Sequence, residues 1–234
     1  MNTMSERVDG DFFQNLKHPV EFVFIRHGES EGNANGVFQG LLDYPLTDRG
    51  REQARLRGRQ LQALPFCSKP DLVGLYTSPM GRARETAEHI AESAGFVKPQ
   101  VVPSLTELDT GVWTGKAWAD VKSETNELWP HFRSKSWAAI PEAESETALY
   151  DRALASWAFL RDQAIEHNLH GVIAVSHAGF LQWLFRVTFG CRSWFPLIPV
   201  HNCGMFRFKV EPIGKQHSPY VAWDTINEPL PASL

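Results

Sequence analysis

Short apolar strands alternating with amphipathic helices predict an α/β fold: a three-layer α/β/α sandwich around a mostly parallel central sheet, with one helical insertion. Three observations carry that expectation. Residues 20–25 (VEFVFI), 72–76 and 172–175 are nearly continuous apolar runs rich in strand formers, as strands buried on both faces are. The stretches between them repeat apolar residues at helical spacing. No internal repeat or low-complexity tract breaks the pattern, and 234 residues are enough for one large core.

Taken in order, residues 1–19 are polar, carry Asp9 and Asp11, and read as a loose N-terminal arm. After the first strand, Ser30 is placed to cap a helix. Asp43, Pro45 and Thr47 read as turn and cap, with Thr47 opening a helix that keeps Ala54, Gly58, Leu61 and Leu64 on one face. Ser78-Pro79 predicts the start of the next helix, with proline at its first position and Ala83, Ala87, Ile90, Ala91 and Ala94 as its apolar stripe. Residues 116–144 differ: they are polar, contain Trp118, Trp129 and Trp137, and carry Pro130 and Pro141. They read as a helical insertion or lid within a single domain spanning residues 1–234. Leu149, Ala153, Trp157, Leu160 and Ala164 make a further helix face, and Leu181, Leu184, Phe185 and Thr188 a last one. Residues 205–210 alternate Phe206, Phe208 and Val210 with Arg207 and Lys209, as a strand near the sheet edge would.

Composition narrows the function. The net charge is −4 with no block of like charges, which argues against nucleic acid as a partner while leaving room for a small anion in a local positive pocket. Cys67, Cys191 and Cys203 form no Cys-x-x-Cys pair, and any disulfide would leave one over, so a reducing, cytoplasmic setting is expected. No signal-peptide core and no membrane-length apolar stretch is visible, so no membrane partner is expected. The oligomeric state stays open.

The chemistry sits at the strand ends. The first strand runs into Arg26-His27-Gly28-Glu29-Ser30, and the one at 172–175 into Ser176-His177-Ala178-Gly179. The strand at 72–76 runs into Thr77-Ser78-Pro79-Met80-Gly81-Arg82. In an open α/β sheet, ligands bind at the carboxyl ends of strands, which would bring two imidazoles and two guanidiniums together. Arginine presents a planar fork of donors that matches phosphate oxygens, and a histidine nitrogen can attack phosphorus. Phosphoryl transfer needs positioning and charge stabilisation, which two arginines and a protonated histidine would supply, aided by amides at the start of the helix after His177. Glu107, flanked by leucines and followed by Gly111-Val112-Trp113-Thr114-Gly115, is the candidate proton donor, with partial burial expected to keep it protonated.

These segments, in this order, resemble the histidine phosphatase superfamily, the family of phosphoglycerate mutase and its phosphatase relatives. The matches are Arg26-His27-Gly28-Glu29-Ser30 with Asn33, Phe38-Gln39-Gly40 with Asp43, and Pro45-Leu46-Thr47. They continue through Thr77-Ser78-Pro79, Arg82-Ala83, Glu85-Thr86-Ala87, Glu107 with Gly111 and Trp113, and Ser176-His177-Ala178-Gly179. The resemblance implies a phosphoglycerate mutase-like sandwich and assigns roles. His27 would be the phosphorylated nucleophile. Arg26, Arg82 and His177 would bind phosphate, with Asn33 on one of its oxygens. Gln39, Gly40 and Ala178 would border the site. Glu107 would act as acid, then base. No metal would be needed.

Phosphatase is favoured over mutase. Mutases of this family carry a long insertion after the acid/base glutamate, and the span from Glu107 to Glu144 is short. A mutase would need 2,3-bisphosphoglycerate as cofactor; a phosphatase needs none. Glu144-Ser145 aligns with the family's Gly-Glu-Ser motif except that Ala143 replaces the glycine. Other readings remain in view: a two-histidine, one-carboxylate metal site on His27, His177 and Glu107, or a non-catalytic phosphate-binding module. Asn33 and Gln39 read equally well as turn residues, Ser176 lacks the flanking glycines of a serine nucleophile, and the tryptophans read first as packing.

Overall fold

The computed structural model describes residues 7–123, 125–193, 196–214 and 216–231. At its centre lie six strands: β1 (Val20–Arg26), β2 (Val73–Thr77), β3 (Gln100–Val101), β4 (Gly171–Ser176), β5 (Met205–Glu211) and β6 (Tyr220–Glu228). Their order across the sheet is β3-β2-β4-β1-β5-β6. The β1–β4, β2–β4 and β2–β3 pairs are parallel; β5 is antiparallel to β1 and to β6. The sheet is mostly parallel, with its antiparallel pairs confined to one side.

The helices are α1 (Glu31–Ala34), α2 (Asp48–Gln62), α3 (Gly81–Ala94), α4 (Trp118–Val121), α5 (Leu128–Lys135), α6 (Glu146–Glu166) and α7 (Ala178–Arg186). Strand alternation in β1 explains the three layers. Phe22 and Phe24 join one apolar cluster with Trp157 and Leu160 of α6 and Phe180 and Leu184 of α7. Val23 and Ile25 join a second with Leu61 of α2 and Ala83, Ala87 and Ile90 of α3. Trp157 anchors the first cluster: its ring meets those of Phe22 and Phe24 at 5.4 and 4.8 Å, and its indole N–H donates to the Leu184 carbonyl at 2.8 Å. A third, smaller cluster joins the insertion to the chain around it: Val121, Phe132 and Ile140 pack with Phe38 and Trp113.

Several expectations need correction. The arm is not loose within the described residues; residues 1–6 lie outside them. Val8, Phe13 and Leu16 are buried, and Phe13 packs against Phe22, Trp157 and Phe208. Ser78-Pro79 lies before α3, not in it: Met80 is the N-cap and Gly81 the first residue, because Ser78 is drawn into the site described below. The 205–210 strand lies next to the edge, as expected, with β6 outside it. Thr188 falls in a 3-10 turn beyond α7. Arg57, on the apolar side of α2, is fully buried and donates to the carbonyls of Cys203 at 2.9 Å and Glu228 at 2.8 Å. Ser30 and Thr47 cap α1 and α2 with their hydroxyls, as expected, and Ser145 caps α6.

Candidate active site

Because β1, β2 and β4 are parallel, their carboxyl ends fall on one side of the sheet. β1 delivers Arg26 and then His27; β4 delivers His177, the N-cap of α7, and then Ala178. β2 leads through Ser78 to Arg82 in the first turn of α3. A cavity of about 380 Å³ lies here, lined by Arg26, His27, Arg82, Glu107 and Ala178, with Asn33, Gln39 and Gly40 completing its floor. His177 is not on its wall. It is fully buried, its ring centroid 5.2 Å from that of His27.

His27 Nδ1 lies 2.7 Å from the Gly28 carbonyl oxygen. A carbonyl only accepts, so Nδ1 carries the hydrogen and Nε2 keeps its lone pair. Burial, followed by the charges of Arg82 and Arg26, holds this imidazole well below the usual range. The ring is therefore neutral at neutral pH, as a nitrogen nucleophile must be.

The protonated histidine expected from the sequence is not found. Burial, with Arg82, His27, Arg26 and Arg152, holds His177 well below the usual range as well. Its Nε2 meets Ser78 Oγ at 2.7 Å. That oxygen also accepts from the Met80 N–H, and a hydroxyl that gives its own hydrogen to Nε2 would leave Nδ1 of His177 as the N–H. This Nδ1 is buried and has no hydrogen-bond partner; neither have Nε of Arg26 nor Nε of Arg82. Buried donors of this kind are rare and call for an acceptor. Arg26 and Arg82 line the cavity beside His27, where an oxyanion would offer such an acceptor.

The guanidiniums are otherwise braced. Arg82, 1% exposed, donates to the carbonyls of Leu42 at 2.6 Å and Gly40 at 3.1 Å, and pairs with Asp43 at 3.4 Å. Gly40 turns its carbonyl to that arginine with φ +50°, a conformation side chains disfavour. Arg26 donates to the Val200 carbonyl at 2.7 Å. Burial pushes Arg26 down to about 10, which leaves it a cation at neutral pH.

Glu107 is half-buried, as expected, and its carboxylate also meets backbone donors: Oε1 accepts from Leu108 N at 2.9 Å and Phe180 N at 2.8 Å, and Oε2 from Gly179 N at 3.2 Å. The amides expected to reach a phosphate from the start of α7 thus hold the glutamate instead. A Cβ on Gly179 would stand 2.7 Å from Glu107 Oε1, so glycine there allows the approach. Arg152 braces the same loop. It forms a double hydrogen bond with Glu144 at 2.9 and 2.6 Å, donates to the Thr106 carbonyl at 2.6 Å and covers the Phe180 ring at 3.9 Å. Glu144 is in this way tied to the site despite Ala143.

Asn33 and Gln39 serve the turn as well as the cavity. Ser30 Oγ donates to Gln39 Oε1 at 2.8 Å, and Asn33 Oδ1 accepts from the Ser30 N–H at 3.2 Å. Asn202, which sequence reasoning missed, donates to Asn33 Oδ1 at 3.0 Å and to the His27 carbonyl at 3.2 Å. Thr86, quoted only as part of a motif, accepts from the Gly28 N–H at 3.0 Å and donates to the Arg82 carbonyl at 2.7 Å, joining β1 to α3. Ser176 donates to the Leu105 carbonyl at 2.8 Å and is structural.

Residues 22–219 match the histidine phosphatase superfamily (branch 1) over most of the chain. The chain belongs to that superfamily. Among curated relatives, phosphoserine phosphatase 1 of Hydrogenobacter thermophilus is 33% identical over 68% of this chain and 71% of its own. A 2,3-bisphosphoglycerate-dependent phosphoglycerate mutase of Bartonella bacilliformis is 31% identical over 73% of this chain and 82% of its own. Among solved structures, a mycobacterial glucosyl-3-phosphoglycerate phosphatase bound to VO3 superposes with TM-score 0.72 at 22% identity, covering 89% of this chain and 99% of that one. A Bacillus anthracis phosphoglycerate mutase gives 0.73 at 21% identity over 92% and 96%. Histidine phosphatases of this superfamily are phosphatases or mutases, and the phosphoglycerate mutase-like sandwich predicted from sequence is the fold observed.

The metal alternative finds no support in the donor geometry. Among the described residues no group of three His, Cys, Asp or Glu side chains is arranged to hold a metal ion. The guanidiniums of Arg26 and Arg82 beside His27 would repel a cation. No helix among the described residues is long and apolar enough to cross a membrane.

Proposed function

We propose that this histidine phosphatase hydrolyses phosphate monoesters through a phosphohistidine on His27. The observation that carries the reading is the bare Nε2 of a neutral His27, on the wall of a cavity shared with Arg26, Arg82 and Glu107. In the first step Nε2 forms a bond to phosphorus as the ester P–O bond breaks, and Glu107 gives its proton to the leaving alcohol oxygen. In the second, water attacks phosphorus, the N–P bond breaks, and the Glu107 carboxylate takes the proton of the water. The free donors of Arg26, Arg82 and His177 stabilise the phosphoryl oxygens in both steps. Asn33, Gln39, Gly40 and Ala178 shape the phosphate end of the cavity. The partner is a small phosphorylated molecule.

Hydrolysis is favoured over phosphoryl shuttling by the outer cavity. A phosphoglycerate mutase must hold a bisphosphate with a carboxylate, which demands several cations beyond those at the reacting phosphate. Among the described residues, only Lys122 adds a cation to the lining beyond Arg26 and Arg82. No cofactor is required for hydrolysis; 2,3-bisphosphoglycerate enters only the mutase alternative.

The test is rapid quench with a phosphate-labelled monoester. An acid-labile, base-stable phosphoryl group on His27, absent in His27→Ala, is expected, together with release of inorganic phosphate. Turnover undiminished in His27→Ala overturns the mechanism. Transfer between positions of phosphoglycerate that exceeds phosphate release, and depends on 2,3-bisphosphoglycerate, overturns the phosphatase assignment.

A further inference from the structure

The phosphate end of the cavity is polar, but its outer wall is not. That wall is made of Phe38, Trp118, Trp129, Phe132 and Trp137 with Leu197 at the mouth. The rings are arranged in layers. Trp118 stacks on Phe38 with centroids 3.6 Å apart and planes at 29°, and Trp129 stacks on Phe132 at 19°. Trp118 and Leu197 remain 39% and 58% exposed, although the other apolar residues of the insertion have a cluster to enter. Large apolar side chains left open beside a reacting centre mark a surface meant for a ligand. A phosphate group fills only the inner part of a cavity of about 380 Å³.

Charge points the same way. The Lys122 ammonium, the one cation of the outer wall among the described residues, sits over the Trp118 ring at 4.7 Å. Phosphoserine and phosphoglycerate are ionic beyond their phosphates and carry almost no apolar surface. Either would leave these rings wet and its own carboxylate with a single, surface-exposed partner.

We propose that the substrate is a phosphate monoester of an apolar, ring-bearing alcohol, whose ring packs against Trp118 and the Trp129–Phe132 pair while its phosphate sits among Arg26, Arg82 and His27. This rests on the phosphatase reading above and narrows it. The insertion is then the specificity element of the enzyme, and Trp118 is its substrate-contacting residue.

Binding separates this proposal from the chemistry. Calorimetric titration of His27→Ala protein compares 2-phenylethyl phosphate and cyclohexylmethyl phosphate with O-phosphoserine and 3-phosphoglycerate, all esters of primary alcohols with similar leaving groups. The ring esters are expected to bind at least about tenfold more tightly, the size of effect that burying a few methylenes gives. In a Trp118→Ala background the advantage should shrink about tenfold for ring esters with no change for phosphoserine, and Trp118→Phe should restore it. Equal or tighter binding of phosphoserine or phosphoglycerate overturns the proposal, as does an unchanged preference in Trp118→Ala. Because the readout is affinity in a protein lacking the nucleophile, it stands whether or not wild-type protein hydrolyses the esters. Hydrolysis by wild type without ring preference would sink this inference and leave the phosphatase reading in place.

Discussion

Lowering the pH from about 7 to about 5 is expected to destabilise the folded protein through His27 and His177, by an amount that follows from their burial. Burial and the nearby guanidiniums hold both imidazoles well below their ordinary value of 6.5. The unfolded chain titrates both near about 6.5, so in acid it takes up two protons that the folded chain refuses. More protons on the unfolded state means that stability is full above that value and falls as pH drops through and below it. Over this interval a histidine that stays neutral in the fold withdraws about 2 kcal/mol, so the pair withdraws at most about 4 kcal/mol. Other groups titrate too, so the readout is a difference between proteins. Urea unfolding at both pH values is compared for wild type and for His27→Asn with His177→Asn. Wild type should lose more than the double variant, by up to about 4 kcal/mol. Equal acid losses in the two proteins would refute the claim that both rings are neutral in the fold.

Gly179→Ala puts a methyl group against Glu107 and should displace the carboxylate, lowering kcat by about 100-fold for alkyl phosphates and much less for p-nitrophenyl phosphate; equal slowing of both refutes the acid role. Arg82→Lys gives up the fork that reaches both Leu42 and Gly40 and should lower kcat/KM by about 100-fold or more, with circular dichroism unchanged. Vanadate should compete with substrate and raise the Tm of wild type, and the increase should vanish in Arg26→Ala; a persistent increase would place the oxyanion elsewhere. Arg152→Met removes the brace on residues 104–106 without touching the cavity wall, so it should reduce kcat with little change in KM and shift the acidic limb of the pH–rate profile.

The elements buried on both faces were the legible ones. β1, β2 and β4 announce themselves because two packed layers leave no room for polar side chains. β3 and β6 do not. β3 has two exposed residues, and β6 is an edge strand that mixes Asp224, Thr225 and Asn227 with its apolar positions. Phe13 was hidden in a polar context, since a single ring gives no periodicity. Arg57 was hidden by its charge, which backbone carbonyls some 150 residues away in the chain satisfy. At the site, His27, His177 and Arg26 could be named because strand ends and glycines frame them, whereas Arg82 and Glu107 rested on the family resemblance, since position alone makes Arg82 a helix-surface charge. Asn202 and Ser78 could not be given roles, because each acts through a hydrogen bond that only the folded chain brings together. The protonation of His177 also escaped, since it depends on total burial, which no local pattern records.

The packing of the insertion has a wider consequence. Val121, Phe132 and Ile140 pack with Phe38 and Trp113, which lie outside residues 116–144, and short bridges join Val37 to Ala117 and Thr110 to Ala143. The insertion can drift in sequence, or be transplanted from a cousin, only where those two outside rings still find partners. Under the proposed ring specificity, retargeting this scaffold calls for exchanging residues 116–144 together with Phe38 and Trp113 while the phosphate cradle beneath stays fixed.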